Sequence, residues 1–287
     1  AHRSVLKALR LAGHASGALQ SIPVDARWRM VPDALDAAVR RDQAAGLRPF
    51  LVVAAAGTTN TGAVDPLGEL AGICAEHRLW LHVDGAYGGA FVLCPEGRAA
   101  LRGIERADSI TFDPHKGMFL PYGTGALLVR DGAALRHAHR SEADYLQDLD
   151  PESAAGASPA DCGPELSRPF RGLRLWLPLM LHGARAFREA LSEKLELARV
   201  LHEGLARQAA AGAPIEIVDP PQLSIVAFRV RRRQGEALPA WNGRNEAWMA
   251  AINARGRVLL SSTLLETADG PAFTLRACVL SFRTHAD

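Results

Sequence analysis

An α/β fold, with a parallel-rich sheet flanked by helices and a smaller α+β unit after it, is what the sequence predicts. Three observations carry that expectation. From residue 20 onward strand-like and helical segments alternate, the pattern of parallel strands joined by crossover helices. The strand-like runs are continuously apolar, as expected for strands buried on both faces. Past residue 212 the alternation gives way to several strands around one helix.

The chain opens inside a helix, "AHRSVLKALRLAG", whose Val5, Leu6 and Leu9 recur at helical spacing and which ends at Gly13. A short strand "SIPVD", a helix "PDALDAAVRRDQAAG", a strand "PFLVVAAAG", a helix "PLGELAGICAEHR" and a strand "LWLHVDG" follow, and then the strands "SITFD" and "GALLVR". Next, "SEADYLQDLDPESAAGASPADCGPE" has no period at all and reads as a loop long enough to be a functional lid. Residues 166–212 read as long helices broken near Pro178 and Gly183 and stopped at Gly212. The strand-like runs "IEIV", "LSIVAFRV", "RVLLSST" and "AFTLRACVLSF" then surround a helix near "NEAWMAAINARG". Domains are expected at 1–185 and 186–287.

The 287 residues, 48% hydrophobic with a formal net charge of only +2, suffice for a large core and two domains. Acidic and basic residues are balanced and interspersed, and the run "RVRRRQ" has no extended basic stripe beside it, which argues against nucleic acid as a partner. Cys74, Cys94, Cys162 and Cys278 are scattered without a CxxC pair, pointing to free thiols in a reducing, cytoplasmic setting. His137 and His139 are two apart on a helix and face different ways, so no metal is expected. No apolar run is long enough to span a bilayer, and no signal peptide precedes the first residues, so no membrane partner is expected. The first residue is not methionine, and the chain is expected to be a piece of something longer.

Chemistry concentrates in three loops that follow strands: "AGTTNTGAVD", "VDGAYGG" and "DPHKG". In an open α/β sheet such loops meet at one edge and form the ligand crevice, so Thr59, Asp84, His115 and Lys116 can converge. A lysine desolvated in a crevice becomes a neutral amine, a nucleophile toward an aldehyde. Pyridoxal phosphate is the cofactor that exploits this, and its ring nitrogen needs a carboxylate to hold a proton. Asp84, ending a strand and followed by the small Gly85 and Ala86, suits that task. Read singly, Asp84 could equally be a helix N-cap and Lys116 a surface charge.

Taken together, "HVDGAYGG" and "ADSITFDPHKG" closely resemble the signature of the group II pyridoxal-phosphate-dependent amino acid decarboxylases, the family of aromatic-L-amino-acid, histidine and glutamate decarboxylases. The resemblance runs the length of the chain through "AHRSVLKA", "AGTTNTGAVDPL", "RPFRGLRLWLPLMLHG" and "INARGRVLLSST". It implies the type I fold of pyridoxal-phosphate-dependent transferases with a small C-terminal domain, and a homodimer that shares its active sites. It implies Lys116 as the residue that carries the cofactor covalently, Asp84 as partner of the pyridine nitrogen, and Ala86 beneath the ring. His2 matches a histidine stacked on the ring's other face, Thr59 a threonine contacting the cofactor, and His115 a cofactor-contacting histidine. Tyr145 resembles the tyrosine of a catalytic loop that returns a proton after carbon dioxide leaves. Related aldehyde synthases carry phenylalanine there.

Two departures stand out. Asp113 occupies a position where several relatives have asparagine near the cofactor phosphate, and a carboxylate there would repel that group. The family's upstream region, with its phosphate-cradling loop, is not represented. The resulting expectation is decarboxylation of an L-amino acid, aromatic as the first guess, to an amine and carbon dioxide. The alternatives are an aldehyde synthase or other lyase on the same fold, and a catalytically silent remnant that dimerises or binds a partner.

Overall fold

The computed structural model describes residues 2–139 and 159–286. In chain order, α1 (Arg3–Leu11) and α2 (Pro32–Ala44) precede β1 (Leu51–Ala55), α3 (Leu67–His77) leads to β2 (Trp80–Gly85), and α4 (Pro95–Ala100) leads to β3 (Ser109–Phe112). The single turn α5 (Pro114–Gly117) is followed by β4 (Ala126–Val129) and α6 (Gly132–His139). The long α7 (Leu173–Ala210) then reaches a second unit of β5 (Ile215–Ile217), β6 (Ile225–Val230), α8 (Leu238–Ala254), β7 (Ser261–Thr267) and β8 (Gly270–Cys278).

The first sheet has the order β1-β2-β3-β4, and the second β5-β6-β8-β7. Strands β1, β2 and β3 are parallel, as the alternating pattern predicts, whereas β4 pairs antiparallel with β3. Between β3 and β4 lies only one helical turn, too little to cross the sheet and bring a strand back parallel. The second sheet is antiparallel throughout.

Helices form where local signals agree. Pro32 opens α2, Asp33 stands in its first turn, and Leu35, Ala38 and Val39 are buried at the i, i+3, i+4 spacing of one face. Leu67, Leu70, Ala71 and Cys74 do the same on α3. With Val52, Ala54, Leu81 and Val83 they form the main core. Helix α1 forms as predicted, but none of its residues is buried. Gly183, at φ 70 and ψ 159, interrupts α7, while Pro178 is accommodated within it.

Four expectations are corrected. Burial alternates along β2, and along β1 as far as Ala54, so among the described residues one face packs on α2 and α3 and the other is only part-buried. The apolar runs are therefore not doubly buried. "SIPVD" is no strand: Val24 alone makes a bridge, to Met30, because Pro23 has no N–H for a ladder. Strand β7 begins four residues later than "RVLLSST" suggested, since a two-residue turn ending at Gly270, φ 113, sets the hairpin register from Thr267 backward. Helix α8 starts at Leu238, well before "NEAWMAAINARG", with Pro239 within its first turn.

The two sheets are pinned together beside β2. The buried Tyr87 hydroxyl lies 2.7 Å from Ser224 Oγ and accepts from Ser224 N at 3.1 Å. Val64 N donates to Gln222 Oε1 at 3.0 Å across the same seam. Close approach here requires glycine: a Cβ on Gly88 would stand 2.0 Å from Ala56 O and 2.7 Å from Leu223 Cδ1. Gly88→Ala is therefore expected to lower the unfolding free energy by about 2 kcal/mol or more in urea titration, since a backbone carbonyl has to move.

Candidate active site

A cavity of about 1180 Å³ opens over the uncovered face of the first sheet, and His2, Thr59, Asp84, Ala86, Asp113 and Lys116 all line it. These residues come from α1, from the loop after β1, from the end of β2 and from the segment after β3. Parallel pairing brings them together: Ala55 is the register partner of Asp84, and Asp84 of Thr111. His115 is not part of the lining. Its Nδ1 lies 2.6 Å from Thr124 O, to which it donates, and its ring packs edge-on against Tyr122. Tyr145 lies outside the described residues.

Asp84, the last residue but one of β2, lies on the cavity face. One oxygen accepts from Ala86 N at 3.2 Å; among the described residues the other has no protein partner. Gly85 is needed directly after it, because a Cβ there would lie 2.9 Å from Thr111 O. Lys116 projects from α5, and its Nζ lies 2.9 Å from Asp113 Oδ2. The lysine is 41% exposed, so it is ion-paired at the cavity wall rather than desolvated as its setting after a strand suggested. A pair this open contributes under about 1 kcal/mol, too little to explain the lysine's place by stability.

Thr58, not Thr59, satisfies the turn after β1, through Thr61 Oγ1 at 3.0 Å and Ala63 N at 3.1 Å. That leaves the exposed Thr59 facing the cavity. His2 caps α1, its Nδ1 accepting from Ser4 N at 3.3 Å, and lines the cavity as well.

A polar chain beneath Asp84 has no counterpart in the sequence reading. Trp80, His82 and Asp84 alternate along one face of β2, beside Ser109 and Thr111 of β3. Trp80 Nε1 donates to Ser109 Oγ at 2.8 Å, Ser109 Oγ lies 2.8 Å from His82 Nδ1, and His82 Nε2 lies 3.0 Å from Thr111 Oγ1. Indole can only donate, and among the described residues the buried Ser109 hydroxyl has no acceptor other than His82. Ser109 therefore donates to Nδ1, the ring proton sits on Nε2 and goes to Thr111, and the Thr111 hydrogen is left for the cavity. Burial holds His82 below its ordinary value of 6.5, against a smaller opposing pull from the Asp84 charge. The detectable signal was the period-2 series of polar residues at 80, 82 and 84.

An amine and a carboxylate line one cavity at the C-terminal edge of a parallel sheet, with a small residue after the acid. This donor set would fit a flat heterocyclic aldehyde with a basic ring nitrogen, the kind of site a pyridoxal-dependent enzyme needs. The chain belongs to the pyridoxal-dependent decarboxylases: the model of their conserved domain matches residues 1–231. It is 37% identical over 283 residues to an aromatic-L-amino-acid decarboxylase of Bacillus atrophaeus, covering 99% of this chain and 57% of that relative. Among solved structures it is similar to the Oryza sativa TDC with PLP and tryptamine, at TM-score 0.87 and 31% identity, covering 98% of this chain and 57% of the other. It also resembles the Rhodiola rosea 4-hydroxyphenylacetaldehyde synthase, at TM-score 0.81 and 28% identity, with 99% and 56% covered. The chain thus spans a little over half the length of these relatives.

The buried imidazole makes stability pH-dependent. With the folded value depressed, the unfolded chain takes up the proton first as pH falls. The contribution of His82 is complete above 6.5 and is lost as pH falls through the folded value. Urea midpoints measured from pH 7.5 down to 5 should fall less steeply for His82→Gln than for the parent protein.

Proposed function

We propose that the complete protein decarboxylates an aromatic L-amino acid to its amine and carbon dioxide, using pyridoxal 5'-phosphate held by residues of this chain. The observation that carries this reading is the placement of Lys116 and Asp84 on one cavity at the sheet edge. The cofactor, when bound, withdraws the electron pair left when the substrate's carboxylate departs. Lys116 supplies the amine that tethers the cofactor and yields to the substrate's amine. Asp84 holds a proton on the ring nitrogen with the oxygen that has no partner among the described residues, and Ala86 leaves room for a flat ring beside it. Thr59 and the Thr111 hydroxyl contribute polar contacts from the cavity wall. His2 closes the site from α1 and orients the substrate. His115 acts from behind, steadying the segment that carries Lys116, and Tyr145 returns a proton to the carbon that lost the carboxylate.

The aromatic substrate is supported by the relatives that carry the names aromatic-L-amino-acid decarboxylase and tryptophan decarboxylase. A homodimer is supported by the apolar first half of α7, where Trp176, Met180 and Leu181 are 56, 65 and 70% exposed. No helix among the described residues is long and apolar enough to cross a membrane. Cytoplasmic residence is supported by four free cysteines. A second reading, oxidative conversion to an aldehyde, is favoured by the similarity to an aldehyde synthase.

Borohydride reduction of the cofactor-loaded, full-length protein followed by peptide mapping should place the label on Lys116, and Lys116→Ala should abolish it. An amine-product screen with aromatic, histidine, aspartate and glutamate substrates should yield the aromatic amine. Tyr145→Phe should cut amine yield by about a hundredfold, the loss of a proton donor, and divert product to aldehyde. Unchanged amine yield would remove Tyr145 from the mechanism.

A further inference from the structure

We propose that Asp113 positions Lys116 and accepts its proton when the amine captures an aldehyde, a role that rests on the cofactor reading above. Asp113 stands at the N-cap of α5, where aspartate ordinarily accepts from the backbone of the following turn, yet it makes no such bond. Its carboxylate turns instead to Lys116, with Oδ2 at 2.9 Å from Nζ. The opposite oxygen, Oδ1, lies beside Gly125, where a Cβ, if present, would stand 3.3 Å from it. On the remaining side stands His115, Nε2 at 3.9 Å from Oδ2, its ring fixed by the bond from Nδ1 to Thr124 O. Asp84 and Glu266 are the other acids on the same cavity.

This arrangement does two things for an exposed lysine. It holds the end of a four-carbon chain at the cavity wall, where it would otherwise sample solvent. It also places a base on an ammonium that cannot attack a carbonyl until a proton leaves. As the nitrogen–hydrogen bond breaks, the proton passes to Asp113 Oδ2, and the freed electron pair forms the nitrogen–carbon bond. The carbonyl oxygen takes that proton back from Asp113 and a second one from the nitrogen, and departs as water when the carbon–nitrogen double bond forms. No oxidant or reductant is needed.

The test uses pyridoxal, which lacks the phosphate, so that repulsion between Asp113 and that group does not enter. Capture by the full-length, cofactor-free protein is followed by absorbance and confirmed by borohydride trapping and mass mapping of Lys116. Asp113→Asn should slow capture by about tenfold or more, and Asp113→Glu should recover part of the rate. Formate added to Asp113→Ala should raise the rate with concentration, a response that a structural role would not give. Equal rates in Asp113→Asn and parent, or no response to formate, overturn the inference while leaving the cofactor reading intact. Failure of the parent protein to capture pyridoxal on Lys116 removes both.

Discussion

The register between β2 and β3 is the constraint on which the site depends. With Asp84 opposite Thr111 and His82 opposite Ser109, the polar side chains of two strands share one face, and the next residues along β3's path are Asp113 and Lys116. A slip of one residue would send every one of these side chains into the core built on α2 and α3. The apolar partners at alternate positions, Leu81 and Val83, are buried at 1% and 0% and forbid that slip. Hydrophobic burial on one face thus fixes the chemistry on the other.

The two principal groups of the site are held in contrasting ways. Asp84 ends a strand in the middle of the sheet and is followed by Gly85, which has no room for a side chain. Lys116 hangs from a single helical turn and is kept in place by one open ion pair. The difference would suit the roles proposed above: a rigid strand would give a proton-holding acid a single position, and a short helical turn would let an amine leave its ion pair without disturbing the fold.

Much of this was legible in the sequence, for a physical reason. Ligand loops follow strands in α/β sheets, so "AGTTNTGAVD", "VDGAYGG" and "DPHKG" could be placed on one edge without knowing any contact, and Thr59, Asp84 and Lys116 do share a cavity, together with Ala86, Asp113 and His2, to which only the family resemblance had assigned roles. What stayed hidden depends on pairing between distant segments. The antiparallel β4 follows from a connection too short to cross the sheet, and the open cavity face from what packs on the strands rather than from their composition. The Trp80–Ser109–His82–Thr111 chain exists only once the register of two strands is known. His115, adjacent to Lys116 in sequence, is turned away by the helical turn that separates neighbouring side chains, and its bond to Thr124 settles its direction.

Tyr87 extends the same logic beyond the first sheet. It lies three residues after Asp84, is buried, and shares its hydroxyl with Ser224 immediately before β6. The burial that pushes its phenol upward also keeps it neutral and committed to hydrogen bonding. Gly57 and Gly88 make room for this junction, since a Cβ on Gly57 would meet the Tyr87 ring at 2.6 Å. The loop that follows the acid is therefore anchored to the second sheet as well as to its own. Strand β7 of that sheet brings Leu264, Leu265 and Glu266 to the cavity. A shift of the second sheet would move both the cavity's outer wall and the loop after Asp84, so the small unit acts as part of the site's frame.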